Sequence, residues 1–244
     1  VPIVRIIYFF LYLSISLILS TPTLRNVKKL DHSLPVAELD RKRQELPKNW
    51  AKGVLRSVSA KVMVEGEENI PSGGVLFVSN HVGNFDIPTL MASIEKPFGF
   101  LSKVEVKKLP LIRDWMEEMN CVFIDRSDRR QSVKAIRECG ALLKDGHSLL
   151  IFPEGTRSKG RDVAPFKAGS LRLAKDGQVP IVPIAITGTA DLLEKNKWGI
   201  RPGTVQVRIL PHIPVSEVLE LESKELAELL QKRISLNIQN MTTV

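Results

Sequence analysis

After residue 60 the sequence alternates between short apolar runs and segments of helical period, and few architectures satisfy both. KVMVEG (61–66), VLFVSN (75–80), FGFLS (98–102), CVFI (121–124), SLLIF (148–152), VPIVPIAI (179–186) and VQVRIL (205–210) are the runs. Their lengths suit strands, and a strand apolar at successive positions is covered on both faces. The first two are separated by a Pro-Ser-Gly-Gly turn, and the prolines of 179–186 are expected to break that strand. Between the runs, residues 84–94 read as a short helix, with Pro88 tolerable only near its first turn. Residues 104–118 read as helical in two pieces divided at Pro110, 128–144 as a helix stopped by Gly146, and 166–175 as a short helix. A leucine-rich helical pattern fills 216–238. The expected class is α/β, a mixed, mostly parallel sheet flanked by helices.

The first 20 residues stand apart. VPIVRIIYFFLYLSISLILS carries one charge, Arg5. As a helix it would reach about 30 Å, near the thickness of a thin hydrocarbon core. Three readings compete: a membrane anchor or half-inserted helix, a cleaved signal peptide, and a buried core helix. The first is expected, because no small-residue cleavage pattern follows and no basic cluster precedes the run. Arg5 could snorkel to the interface. Arg25, Lys28, Lys29, Arg41, Lys42, Arg43, Lys48 and Lys52 follow, which favours the cytoplasmic side and contact with anionic lipid. Trp50, Val54, Leu55 and Val58 recur at helical spacing, either on a membrane-lying helix or on one packed against the body. The expected organisation is a membrane-associating helical motif over 1–60 and an α/β domain over 61–244, at the cytoplasmic face of the cell membrane.

The formal net charge of +8 favours anionic partners. Nucleic acid is not expected: Trp50, Trp115 and Trp198 supply the indoles, with no aromatic–basic ladder for stacking. Cys121 and Cys139 make neither a metal pattern nor a disulfide framework, and read as reduced, partly buried thiols. The dinucleotide fingerprint, the phosphate-binding loop, the zinc-protease motif and the nucleophile elbow are all absent from the sequence. No metal and no bound cofactor are expected.

Of the four histidines, His32, His147 and His212 read as structural or surface residues. His81, in NHVGNFD (80–86), stands just past a strand, where open α/β sheets place ligands. On one continuous helix His81 and Asp86 would diverge by about 140 degrees. If the chain bends at Gly83-Asn84, Asp86 falls in a new first turn and faces back toward the ring. A carboxylate there would fix an imidazole tautomer. Spacing alone leaves both readings open. IFPEGTRS (151–158) runs a strand into a glycine turn, with Arg157 as a forked donor for phosphate or carboxylate. Lys167, Arg126 and Lys103 also lie in or near segments that follow strands. Such a set suits a clustered anion site.

Four blocks in this order carry a resemblance. NHVGNFD looks like the His-x-x-x-x-Asp block of the glycerolipid acyltransferases, and FPEGTRS like their Glu-Gly-Thr-Arg block. FIDR (123–126) resembles the block between them, and VPIVPIAI the proline-containing block that closes the set. The resemblance covers roughly residues 60–190 and points within the family to the 1-acyl-sn-glycerol-3-phosphate (lysophosphatidic acid) acyltransferases. It implies transfer of a fatty acyl group from a thioester of coenzyme A or acyl carrier protein to the sn-2 hydroxyl of lysophosphatidic acid, giving phosphatidic acid. His81 would be the general base and Asp86 its orienting partner. Arg126, Glu154, Gly155, Thr156 and Arg157, joined by Lys103, would form the substrate-phosphate site. Glu154, itself a carboxylate, would hold Arg157, Lys103 or a backbone amide in place. Lys167 and Pro183 would position substrate, though a strand break explains Pro183 equally well. Many members carry a serine where this chain has Gly83. The alternatives are an acyltransferase using glycerol-3-phosphate or another lysophospholipid, and a membrane- or nucleic-acid-binding protein without catalysis.

Overall fold

The computed structural model describes residues 2–196 and 199–242; Trp198 lies outside them. Three helices lead: α1 (Pro2–Leu19), α2 (Thr21–Val27) and α3 (Val36–Ser57). The body follows as β1 (Ala60–Glu65), β2 (Leu76–Ser79), α4 (Asp86–Ser93), β3 (Gly99–Lys103), α5 (Pro110–Glu118) and β4 (Val122–Ile124). Then come α6 (Arg129–Lys144), β5 (Leu149–Ile151), α7 (Ala168–Gly177), β6 (Ile181–Thr187), α8 (Thr189–Leu192), β7 (Gly203–Ile209), α9 (Val215–Glu220) and α10 (Ser223–Thr242). The sheet order is β1-β7-β6-β2-β5-β3-β4, and β6–β7 is the one antiparallel pair among the described residues. Five strands therefore end at one edge, at Ser79, Lys103, Ile124, Ile151 and Thr187.

Alternation along the strands builds two apolar layers. Phe77 of β2 packs with Val54, Leu55, Leu90 and Met116 from α3, α4 and α5. Leu76 and Val78 point the other way, onto Leu143, Leu171 and Leu230 from α6, α7 and α10. The result is the expected helix–sheet–helix sandwich. Local signals behave as read. A short 3-10 turn at Val104–Lys108 gives way to α5 at Pro110. Asp128 caps α6 by accepting from the N–H groups of Arg130 and Gln131. Gly146, at φ +94°, closes that helix in the left-handed conformation.

Two expectations need correction. Prolines do not break the strand at 179–186: Pro180 precedes β6, and Pro183 lies within it, paired with Val78 of β2. On its other side Ile184 faces Ile209, while Ile181 bridges Ile213. Three steps on β6 thus oppose four on the partner. The N–H that Pro183 lacks falls at this bulge, where the ladder is already interrupted. The leucine-rich tail, for its part, is two helices, α9 and α10, divided after Glu220.

The leading helices lie on the body. Ile6, Phe9, Tyr12 and Leu13 of α1 pack against the layer that holds Val54 and Phe77. Tyr12 meets α3 at Gly53, where any Cβ would strike its hydroxyl. The Trp50 indole donates to Ser16 Oγ at 3.1 Å and that of Trp115 to Ser20 Oγ at 2.8 Å. This resolves the two readings of 47–58: its apolar face packs on the body. The outer face of α1, with Val4, Ile7, Tyr8, Phe10, Leu11, Ile15, Ile18 and Leu19, is 47–71% exposed.

Candidate active site

The site forms where β2 and β5 end. Asn80 is buried and ties β2 to β6, donating to Ile186 O and accepting from Ile186 N, both at 2.9 Å. His81 follows, the chain turns through Gly83-Asn84, and α4 begins at Asp86. The turn brings Asp86 Oδ2 to 2.7 Å from His81 Nδ1. The same oxygen accepts from Val82 N (2.6 Å) and Gly83 N (3.0 Å), and Oδ1 accepts from Thr189 Oγ1 (2.5 Å). Asp86 is fully buried. With four donors around it, the carboxylate is held in one orientation. Because Asp86 accepts, Nδ1 of His81 carries the proton of this hydrogen bond. The ring stacks on Phe152, 4.1 Å between centroids, and its side chain is 22% exposed.

The loop after β5 supports this ring from below. Glu154 Oε1 accepts from His81 N at 2.6 Å and Oε2 from Ala164 N at 2.9 Å. Ser158 N donates to His81 O and Lys159 N to Val82 O, zipping the two loops together. Gly155 sits at φ +74°, and Arg126 donates to its carbonyl. A Cβ there would lie 2.8 Å from Lys167 Nζ and 3.2 Å from Arg126 Nη1. Two cationic side chains therefore converge over Gly155, and only glycine admits them.

The sequence-read residues thus divide. His81, Asp86, Gly155, Arg126 and Lys167 come together as read. Arg157 reaches the same loop, donating to Asn84 Oδ1. Thr156 is exposed beside it, and Lys103 is exposed at the end of β3 on the same edge. Glu154 does not face the cations as a phosphate contact. It is buried, and both its oxygens are occupied by backbone amides, the last of the roles foreseen for it. Pro183 is buried inside the sheet, four residues short of the edge, and shapes β6 rather than a ligand site. Asn80, Phe152, Thr189 and Glu194, whose Oε1 accepts from Asn84 N at 2.6 Å, were not foreseen. The cysteines are no nucleophiles: burial raises the Cys121 thiol well above its usual range and pushes Cys139 up to about 12.

The acyltransferase family model matches residues 61–187, more than half of the chain and all of the site residues up to Thr187. The chain belongs to the acyltransferase family. This acyltransferase-family chain is 38% identical over 157 residues to a chloroplastic 1-acyl-sn-glycerol-3-phosphate acyltransferase of Arabidopsis thaliana, covering 64% of itself and 44% of that protein. To a probable 1-acyl-sn-glycerol-3-phosphate acyltransferase of Mycoplasma genitalium it is 32% identical over 193 residues, covering 77% and 70%. The chain spans less than half of the two chloroplast relatives and 64% of a Mycoplasma pneumoniae one. The crystal structure of the 1-acyl-sn-glycerophosphate acyltransferase PlsC from Thermotoga maritima superposes with a TM-score of 0.86 at 25% identity, over 100% of this chain and 97% of that one.

Glu154 carries a pH signature. Burial pushes its carboxyl above the ordinary 4.5, against the two N–H bonds and the His81 charge, with the Asp86 charge adding to the rise. The folded state then holds this proton more tightly than the unfolded chain. Its contribution is full below pH 4.5 and is lost as pH rises through the raised value. Glu154→Gln should be less stable overall, since an amide N–H meets a backbone N–H. Its stability should also decline less steeply above pH 4.5 than that of the parent. Urea midpoints of both proteins across a pH series measure this, and parallel curves would refute the assignment.

Proposed function

We propose that this chain is a 1-acyl-sn-glycerol-3-phosphate acyltransferase. It moves a fatty acyl group from a thioester to the sn-2 hydroxyl of lysophosphatidic acid and releases phosphatidic acid. The observation that carries the reading is His81 Nδ1 at 2.7 Å from the buried Asp86 carboxylate, with Arg126 and Lys167 converging on the adjoining loop. His81 Nε2 takes the proton as the lipid hydroxyl oxygen attacks the thioester carbonyl carbon. Asp86 stabilises the imidazolium that forms. The tetrahedral intermediate then expels the thiolate, which receives the proton from His81. The acceptor's phosphate binds over Gly155 between the two cations. No cofactor is resident; the thioester of coenzyme A or acyl carrier protein is a substrate.

An apolar groove supports a lipid substrate. Leu17, Leu46, Trp50, Met91, Phe100 and Trp115 are among the residues that line a cavity of about 200 Å³ with an entirely apolar wall. Ile87, Pro88 and Met91 form one side of it, on the helix that Asp86 begins. The decisive assay compares lysophosphatidic acid, glycerol-3-phosphate and lysophosphatidylethanolamine as acceptors, each with acyl-coenzyme A and with acyl carrier protein as donor. The first acceptor should be preferred. Equal, low rates for all three would overturn the proposal.

The same reading places α1 in the surface of the cytoplasmic leaflet. Among the described residues no single helix is long and apolar enough to cross a membrane, though α1 and α2 together, bent by 45°, reach that mark. One face of α1 is already committed to the body, which favours a helix lying in the interface with its exposed face toward lipid. Ile7→Asp with Phe10→Asp changes only exposed positions. It should weaken binding to anionic vesicles at least about tenfold, from the apolar area withdrawn from lipid. Flotation assays measure this, and unchanged flotation would refute the orientation.

A further inference from the structure

We infer that Glu194 is a positioning residue for the His81 loop and that it forms a matched pair with Gly83. The segment after β6 grips this loop twice. Thr189 donates to Asp86 Oδ1, and five residues on Glu194 Oε1 accepts from Asn84 N at 2.6 Å. Between them the two carboxylates, Asp86 and Glu194, take up the N–H groups of Val82, Gly83 and Asn84 in succession. Glu194 is itself braced. Lys195 N donates to Ala190 O, Asn196 N to Leu193 O, and Lys195 pairs with Asp191 at 2.9 Å.

Glycine at 83 is what makes room for it. A Cβ on Gly83 would lie 2.7–3.0 Å from the three atoms of the Glu194 carboxylate. The carboxylate therefore fills the space that any side chain at 83 would take. Since the obstacle is the end of a flexible side chain, a larger residue at 83 would not unfold the loop. It would expel Glu194 and free the Asn84 N–H.

Stability does not explain the arrangement well. Glu194 Oε2 is buried with no hydrogen-bond partner among the described residues. An unpaired buried carboxylate oxygen is unfavourable, and it offsets what the Asn84 bond contributes. The contact makes sense as geometry: it fixes the turn that brings Asp86 back to His81 Nδ1.

The kinetic part rests on the acyl-transfer reading; the exchange part does not. The full chain and its Gly83→Ser, Glu194→Ala, Glu194→Gln and Gly83→Ser/Glu194→Ala variants are assayed with lysophosphatidic acid. Gly83→Ser and Glu194→Ala should each lower kcat about tenfold, with the acceptor KM within about twofold and Tm nearly unchanged. Glu194→Gln keeps an acceptor for Asn84 N–H and should retain most of the turnover. The double variant should lose no more than the worse single, because both changes break one contact. Losses that multiply, or a Gly83→Ser variant at parental kcat, would overturn the pairing. A lower Tm with unchanged kcat per folded molecule would reduce Glu194 to a structural role. Amide hydrogen exchange over residues 82–86 is read on the same proteins. Faster exchange is expected in Glu194→Ala and not in Glu194→Gln, whether or not lysophosphatidic acid is the acceptor; equal exchange in all would overturn the inference.

Discussion

Replacing His81 by alanine is expected to lower turnover roughly 10²–10⁴-fold while leaving the protein folded. The two effects separate because of how the loop is built. The ring is partly exposed and stacks on Phe152, but it is one of four donors to Asp86. Without it, Val82 N, Gly83 N and Thr189 Oγ1 still hold the carboxylate, and Glu154 still holds the backbone N–H of residue 81. The turn survives and the proposed base is gone. The acceptor KM should move little, because the converging cations belong to Arg126 and Lys167 rather than to this loop. Steady-state kinetics on the purified variant test this. Turnover within threefold of the parent would remove His81 from its proposed role.

The layered fold was legible because strands covered on both faces must be apolar at successive positions. VLFVS and SLLIF carry that signature, and the segments between them carry helical period. Strand order was not legible. β1 lies beside β7, near the far end of the chain, and nothing local in KVMVEG encodes that partner. Pro183 was misjudged for a related reason. A proline disrupts a ladder only where its N–H is wanted, and whether it is wanted depends on a bulge in the neighbouring strand.

The site divides along the same line. The bend at Gly83-Asn84 could be read locally, and with it the return of Asp86 to His81. Thr189 and Glu194 could not, since they reach the loop across 103 and 110 residues. Gly83 held half of that information. Its departure from serine was visible in the sequence, but the carboxylate that fills the vacated space was not. On α1 the apolarity was plain while its partition was hidden. Ile6, Phe9, Tyr12 and Leu13 turn inward because α3 offers Gly53 for a close approach.

Asp86 should separate geometry from charge. Asp86→Ala strands three N–H donors, from His81, Val82 and Gly83, around a fully buried position. Each buried donor left without a partner typically costs about 1–3 kcal/mol, several kcal/mol for the set. That is a large share of the roughly 5–15 kcal/mol that holds a domain together. The variant should therefore lose both fold and turnover. Asp86→Asn should behave differently because of Thr189. A hydroxyl both donates and accepts, so Thr189 Oγ1 can turn to accept from the new amide N–H. The amide oxygen then stays toward the three N–H donors, and His81 keeps its proton on Nδ1. Only the negative charge proposed to stabilise an imidazolium is lost. Stability should stay close to the parent's, and the loss of turnover should fall short of the ~10⁴-fold that accompanies a wrong imidazole tautomer. Thr189→Val in the Asp86→Asn background removes the hydroxyl that makes this possible. The amide N–H is then left without its acceptor, and stability should drop. Denaturation and kinetics on the three proteins test the scheme, and an Asp86→Asn variant as unstable as Asp86→Ala would refute it.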